Sequence, residues 1–354
     1  MPINVSGYAA HSAETPVAPW EFTRRDPRPD DVTIDILYCG VCHTDIHQTR
    51  NEWGNAAYPM VPGHEIIGRV SVVGPEVTNF KPGDMVGVGV LVDSCRECAA
   101  CRADLEVYCE KFPTSTYNAV DRHDGSPTYG GYSDKVLVAE HFVLHIPDAL
   151  DPKTAAPLLC AGITTYSPLK HWKVGPGHKV AVVGLGGLGH LGLKFAKALG
   201  ADVSLFTRTA GKEEEARRLG ADHVILSTDP AQMAAAAGTF DFVLDTVPSA
   251  HDLNPYLASL KLDGIHILVG QLDAIEPALL AFMLIAGRKS LVGSGAGGIA
   301  ETQEMLEFCA ERGVTADVEM IKIQDINGAF ERVLQSDVRY RFVIDMASLK
   351  ENGN

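Results

Sequence analysis

Four of the chain's eight cysteines, Cys95, Cys98, Cys101 and Cys109, fall within fifteen positions, in the run CRECAACRADLEVYC. At C-x2-C-x2-C-x7-C spacing, a short looped segment can bring four thiolates tetrahedrally onto one zinc ion at about 2.3 Å each, leaving no position open for a substrate. A site of that kind is structural. Clustered cysteines also serve two other chemistries. A pair of disulfides fits poorly, because the start, MPINVSGYAAHSAETP, lacks the cationic residues and apolar core of a secretory signal. A bacterial ferredoxin cluster needs a fourth cysteine at close spacing followed by proline, and the run has neither.

The second group with chemical meaning is Gly184-Leu185-Gly186-Gly187-Leu188-Gly189, directly after the apolar run VAVV and ahead of a helix-length stretch. Alone, such a motif is weak and could be a turn without ligand. In this context its glycines permit a tight turn, close approach of a pyrophosphate and helix–strand packing, with the helix N-terminus facing the phosphates. NAD sites put an Asp or Glu about 20 residues further on, against the ribose diol. This chain has Thr207-Arg208-Thr209 there, with Lys212 close by. Guanidinium and hydroxyl groups suit a 2′-phosphate, so NADP(H) is the expected cofactor; the plainer reading leaves Arg208 and Lys212 as solvated charges. Thr246, beside the run FDFVLD, is counted with the cofactor-binding residues.

These groups need elements to hold them. At 354 residues the chain exceeds what one hydrophobic core supports, and 46% hydrophobic residues can fill two. The formal charge of −15 opposes nucleic acid or an anionic membrane as partner. The longest apolar run, Ala278 to Ala286, falls short of the roughly 20 residues that span a membrane, and cytoplasm is the expected location. The first 150 residues are rich in Gly, Pro and short β-branched runs, Val32 to Leu37, Ile66 to Val73 and Met85 to Val90, which predicts strands and turns. From Lys179 strands alternate with helices: VAVVG, VSLFT, HVIL, FDFVLD, GIHILVG and KSLVGS make six strands of a doubly wound parallel sheet. The tail, a helix at ETQEMLEFCAERG and a strand at RYRFVID, breaks that rhythm and is expected to fold back onto the first domain.

Cys42, His64 and Cys160 stand in CGVCHTDIH, YPMVPGHEIIG and LLCAGITTYSPL. Each alone could be a packed thiol or a hydrogen-bonded imidazole, and spacing does not join them. Together with the four-cysteine run, the glycine motif and the ending DVRYRFVID, however, these segments resemble the zinc-dependent medium-chain alcohol dehydrogenases over essentially the whole chain. Within that superfamily the resemblance is to the cinnamyl alcohol dehydrogenase group, including its bacterial NADPH-dependent aldehyde reductases. It implies an α/β fold with a GroES-like β-rich catalytic domain over residues 1–154 and 295–354 and a Rossmann domain over 155–294. It makes Cys42, His64 and Cys160 the ligands of a catalytic zinc with a fourth, open position, giving two zinc ions per subunit. Asp45 would accept a hydrogen bond from His64, with Glu65 close to the metal. Thr44 and His47 would relay a proton through the nicotinamide ribose, and His43 and Arg341 would meet the pyrophosphate.

For the substrate, the resemblance places Trp53 at the entrance. Ser115 stands where lignin-type members carry Trp, and Gly295-Ala296 where they carry a Phe-Ile pair. The aromatic clamp is thus opened, and the expected activity is a broad reduction of aromatic and medium aliphatic aldehydes. A polyol dehydrogenase is disfavoured, since its metal site usually replaces the third cysteine with a carboxylate. The alternatives are a same-fold NADPH-dependent reductase of conjugated C=C or C=N bonds, which would not need Thr44 and His47, and a cofactor-binding protein without turnover. The sixth strand, at a sheet edge, predicts a homodimer.

Overall fold

The computed structural model describes residues 2–270 and 274–352, and the chain divides into two units, Met1–Cys160 with Gly297–Asn354, and Ala161–Ala296. In the first unit, alternation in DVTIDILYCG turns Val32, Ile34 and Ile36 to one buried face of the strand Asp31–Gly40. One edge of that strand pairs antiparallel with Ile66–Val73; the other is shared by Lys135–Ala139 and Arg341–Asp345. Val318–Lys322 lies parallel to Arg341–Asp345, and Met85–Val88 and Leu144–His145 complete a seven-stranded sheet. Two-stranded pairs add Ile3–Ala9 with Ala18–Arg24, which the β-branched runs do not include, and Leu91–Asp93 with Thr114–Ser115, which brackets the four-cysteine segment. The helix Ile299–Arg312 and the strand Arg341–Asp345 of the tail belong to this unit.

The second unit holds one parallel sheet in the order His223–Leu226, Asp202–Thr207, Lys179–Val183, Phe240–Asp245, Leu260–Leu268, Ser290–Gly293. All six expected strands are present, and numbered along the chain they run 3-2-1-4-5-6, the doubly wound order. The first, Lys179–Val183, is covered on both faces, which is why it reads as an unbroken apolar run. The fifth begins at Leu260, earlier than GIHILVG suggests, with an irregular register against Phe240–Phe242. The apolar run Ala278 to Ala286 forms a single short helix, Ala281–Ile285, and Leu280, Phe282 and Ile285 on it are 58%, 72% and 76% exposed. Among the described residues no helix is long and apolar enough to cross a membrane.

Candidate active site and metal centres

The strand Asp31–Gly40 runs out into Cys42, which forms the N-cap of the helix His43–Thr49. The neighbouring strand is preceded by His64 and Glu65, and the amide of Gly40 donates to the Glu65 carbonyl at 3.0 Å. Gly63 makes the turn into His64 with φ +101°, and a Cβ there would sit 2.7 Å from Tyr132 and 2.8 Å from the Cys39 sulfur. Cys160 follows the buried 3-10 turn Ala156–Leu159. These loops bring one donor atom each from Cys42, His64, Glu65 and Cys160 within 4.8 Å of one another. The two sulfurs are 3.9 Å apart, and His64 Nε2 lies 3.2 Å from Cys160 Sγ.

Asp45 organises the group. It is fully buried and accepts the amides of Cys42 (2.9 Å) and Gly63 (3.1 Å), His64 Nδ1 (3.2 Å) and the Tyr132 hydroxyl (3.2 Å). Held at Nδ1, the imidazole presents Nε2 to the sulfurs. Burial alone would lower the His64 pKa, but Asp45 and Cys42 outweigh it and push it up to about 10. Cys42 is held well below the ordinary thiol range, first by the hydrogen bond from Cys160, whose own thiol is pushed up by giving that bond and by burial. The soft sulfur and imidazole donors of the cluster suit zinc. Glu65 is paired with Arg341, both buried, while Glu65 Oε2 and Arg341 Nε have no hydrogen-bond partner among the described residues. A pyrophosphate contact from Arg341 would have to compete with that pair.

Thr44 and His47 lie three residues apart on one face of the helix His43–Thr49. The His47 ring is stacked between His43 (5.3 Å) and Trp53 (5.1 Å), and its Nδ1 meets the Glu52 carboxylate at 2.5 Å. Trp53 is half-buried, Ser115 is exposed at the end of its short strand, and in the second unit Gly295 and Ala296 are half-buried. Tyr132 and Glu52 are the residues that sequence reasoning missed. An acid five positions after a histidine, and a tyrosine 87 positions from the aspartate it meets, give no local signal.

The four-cysteine segment closes on itself, with Cys95, Cys98, Cys101 and Cys109 each placing a sulfur within 4.8 Å of the others. The amides of Cys95, Cys98 and Cys101 donate to the sulfurs of Cys109, Cys95 and Cys98, each at 3.4 Å. Amides from Cys101 and Glu110 bring the Cys98 thiol down to about 6, while burial pushes the Cys101 thiol up to about 12 in the absence of a cation. Donors aimed at sulfur favour thiolates, and four thiolates in contact need a cation, so the segment fits a structural zinc.

In the second unit Gly184 ends the first strand with φ +88°, and a Cβ on Gly189 would stand 2.1 Å from the Gly184 carbonyl oxygen. A Cβ on Gly186 would meet nothing within 4 Å, which leaves open space ahead of the helix Gly189–Ala198. Leu185, Gly187 and Leu188 complete that turn. The Thr246 hydroxyl donates to the Val183 carbonyl at 2.7 Å, fastening the fourth strand to the first beneath the motif. Thr207 is buried and accepts the Thr209 amide; Arg208 and Thr209 are exposed, and Lys212 caps the helix Glu213–Arg218.

Cysteine and histidine donors in one unit and a glycine-turn parallel sheet in the other define a metal-dependent oxidoreductase of the dinucleotide type. Residues 28–148 match the alcohol dehydrogenase GroES-like domain, and residues 187–311 match the zinc-binding dehydrogenases. An NADP-dependent alcohol dehydrogenase C 1 of Mycolicibacterium smegmatis is 55% identical over 98% of this chain and 99% of its own. The aldehyde reductase YahK of Escherichia coli is 51% identical over 99% of this chain and 100% of its own. A cinnamyl alcohol dehydrogenase structure from Sorghum bicolor superposes with a TM-score of 0.94 at 48% identity, covering 98% of both chains. The chain belongs to the zinc-binding alcohol dehydrogenase family.

Proposed function

We propose that the protein interconverts primary alcohols and aldehydes with NADP(H) and works mainly as a reductase of aromatic and medium-chain aldehydes. The observation that carries this reading is the convergence of Cys42, His64 and Cys160 at the end of the helix that bears Thr44 and His47. The names of the two sequence relatives support the cofactor and the reductive direction. Zinc held by Cys42, His64 and Cys160 supplies Lewis acidity toward the substrate oxygen, and NADPH supplies the hydride. The chain's own groups do the rest. Asp45 fixes the His64 ring so that Nε2 faces the donor group. Thr44 gives its hydroxyl proton to the product oxygen, and His47, on the same helix face, restores it through the nicotinamide ribose. Because Glu52 occupies Nδ1 of His47, that exchange runs through Nε2.

The assembly belongs to the same proposal: a cytoplasmic homodimer with two zinc ions per subunit. The strand Ser290–Gly293 ends the six-stranded sheet with an edge unpaired among the described residues, and exposed Leu280, Phe282 and Ile285 precede it in the chain. All eight cysteines are unpaired, which suits a reducing compartment. The deciding experiment is an aldehyde panel with NADPH and NADH, scored by product identity and run beside metal analysis. Alcohol products, NADPH preference and two zinc ions per chain are expected. Saturated products from conjugated enals would favour the C=C reductase reading, and full activity with one zinc or none would refute the metal assignment.

A further inference from the structure

A cluster outside the proton-transfer and metal chemistry lies where the strands Asp202–Thr207 and Phe240–Asp245 end. Asp245 is fully buried. Its Oδ2 accepts from His251 Nε2 at 2.9 Å and from His266 Nε2 at 3.0 Å, and its Oδ1 accepts the Val247 amide at 3.2 Å. The other nitrogen of His251, Nδ1, is 2.9 Å from the Ser249 carbonyl oxygen. A carboxylate and a carbonyl only accept, so both His251 nitrogens carry hydrogen when both bonds form, and the ring is an imidazolium. His266 is buried, and its Nδ1 has no partner among the described residues. The result is an ion pair with its anion inside and its cation outside: the Asp245 side chain is 0% exposed, the His251 side chain 19%.

That cation is linked through the Tyr256 ring to the strand that leads into the segment read as the 2′-phosphate site. The His251 ring meets Tyr256 edge-on at 5.9 Å, and Tyr256 meets Phe206, just ahead of Thr207 and Arg208, at 5.2 Å. Tyr256 also bonds the Ser227 side chain, and the Ser227 amide donates to the Thr207 carbonyl at 2.9 Å. Arg208 lies within electrostatic reach of both His251 and Tyr256. Cations on these two segments repel one another, and a bound dianion relieves that repulsion.

We propose that His251, braced by Asp245, is a specificity-determining residue for the cofactor, adding to Arg208 and Lys212 the positive potential that favours an adenosine 2′-phosphate. The proposal rests on the NADP(H) reading above. It also makes cofactor preference depend on pH. The groups facing His251 are Asp245 and His266 from the sheet, Arg208 from the loop after Thr207, Tyr256 from the following helix, and Asp252 next to it in the chain. Burial lowers the His251 pKa, but the Asp245 bond and charge outweigh it and raise it above the ordinary value. A raised histidine stays charged below that raised pKa; as pH climbs through it, the cation is lost and the Asp245 charge is left uncovered. NADPH affinity should then fall, while NADH, lacking the phosphate, serves as the internal control.

The test is fluorescence titration of the purified zinc enzyme with NADPH and NADH, from about pH 7 to about pH 9, for the unmutated protein, His251→Gln and Asp245→Asn. Glutamine can still donate to Asp245 but cannot carry charge. A partly buried, solvent-screened charge of this kind is worth about two- to fivefold in affinity. At the lower pH, His251→Gln should lose about that much NADPH preference and show no further pH dependence, whereas the unmutated ratio should decline by a similar factor. Asp245→Asn, by removing the partner that raises His251, should move the decline to lower pH. Equal weakening of both cofactors in His251→Gln, or an unchanged ratio and slope, would overturn the proposal while leaving the NADP(H) reading intact. An unmutated enzyme without NADPH preference at any pH would overturn both.

Discussion

At the scale of single residues, Asp45 is the group on which most else depends, because one buried carboxylate takes four hydrogen bonds from the two ligand loops and Tyr132. Asparagine offers one acceptor oxygen and turns an N–H toward donors. Asp45→Asn should therefore keep the fold and weaken zinc binding about 10- to 100-fold, read by competition with a chromogenic chelator beside an unchanged circular dichroism spectrum. Arg208 makes a separate test, since it is exposed and has little part in stability. A charge-assisted bond to the 2′-phosphate is worth about 1.5 to 3 kcal/mol, so Arg208→Ala should cost about ten- to a hundredfold in NADPH over NADH discrimination. Equal kcat/KM values for the two cofactors before mutation would remove the basis of that expectation.

At the scale of elements, the segment from Cys95 to Cys109 folds around its own sulfurs. Its only regular pieces are the four-residue helix Ala99–Arg102 and the 3-10 turn Glu106–Tyr108, too short to stand without a cation. Cys98→Ser should lower the melting temperature and the second zinc equivalent together, with activity per folded molecule retained. Gly63 tests the other site from its backbone. A side chain there faces an unfavourable φ of +101° and contacts under 3 Å with Tyr132 and Cys39. Gly63→Ala should cost about 1 to 3 kcal/mol in unfolding free energy and shift His64 enough to lose catalytic zinc first. A variant with unaltered stability and metal content would show that the loop adapts without disturbing its ligand.

At the scale of the whole molecule, the proposed dimer rests on the second unit, where an edge strand and three exposed apolar side chains belong to neighbouring segments. Phe282→Asp with Ile285→Asp places charge on that face and should shift a dimer toward monomer in sedimentation at micromolar concentration, with the circular dichroism spectrum preserved. If the unmutated protein sediments as a monomer under the same conditions, the apolar helix Ala281–Ile285 must serve another purpose.

The sequence by itself determined what short-range chemistry can encode. Four cysteines within fifteen positions, a glycine turn after an apolar strand and a regular alternation of strands and helices each carry their meaning in neighbouring residues, whereas the order of the strands across the sheet was read from the structure. Cys42, His64 and Cys160 were joined only by resemblance, because 96 to 118 residues separate the first two from the third and no spacing rule spans such gaps. Their meeting was decided by the tertiary structure, which lays the exit of Asp31–Gly40 beside the entrance of its antiparallel neighbour Ile66–Val73, against the buried turn before Cys160. The same holds for Tyr132 on Asp45, Arg341 on Glu65 and the pair of histidines on Asp245: each depends on burial, where a partner is chosen by three-dimensional packing and by the cost of leaving a charge unmatched.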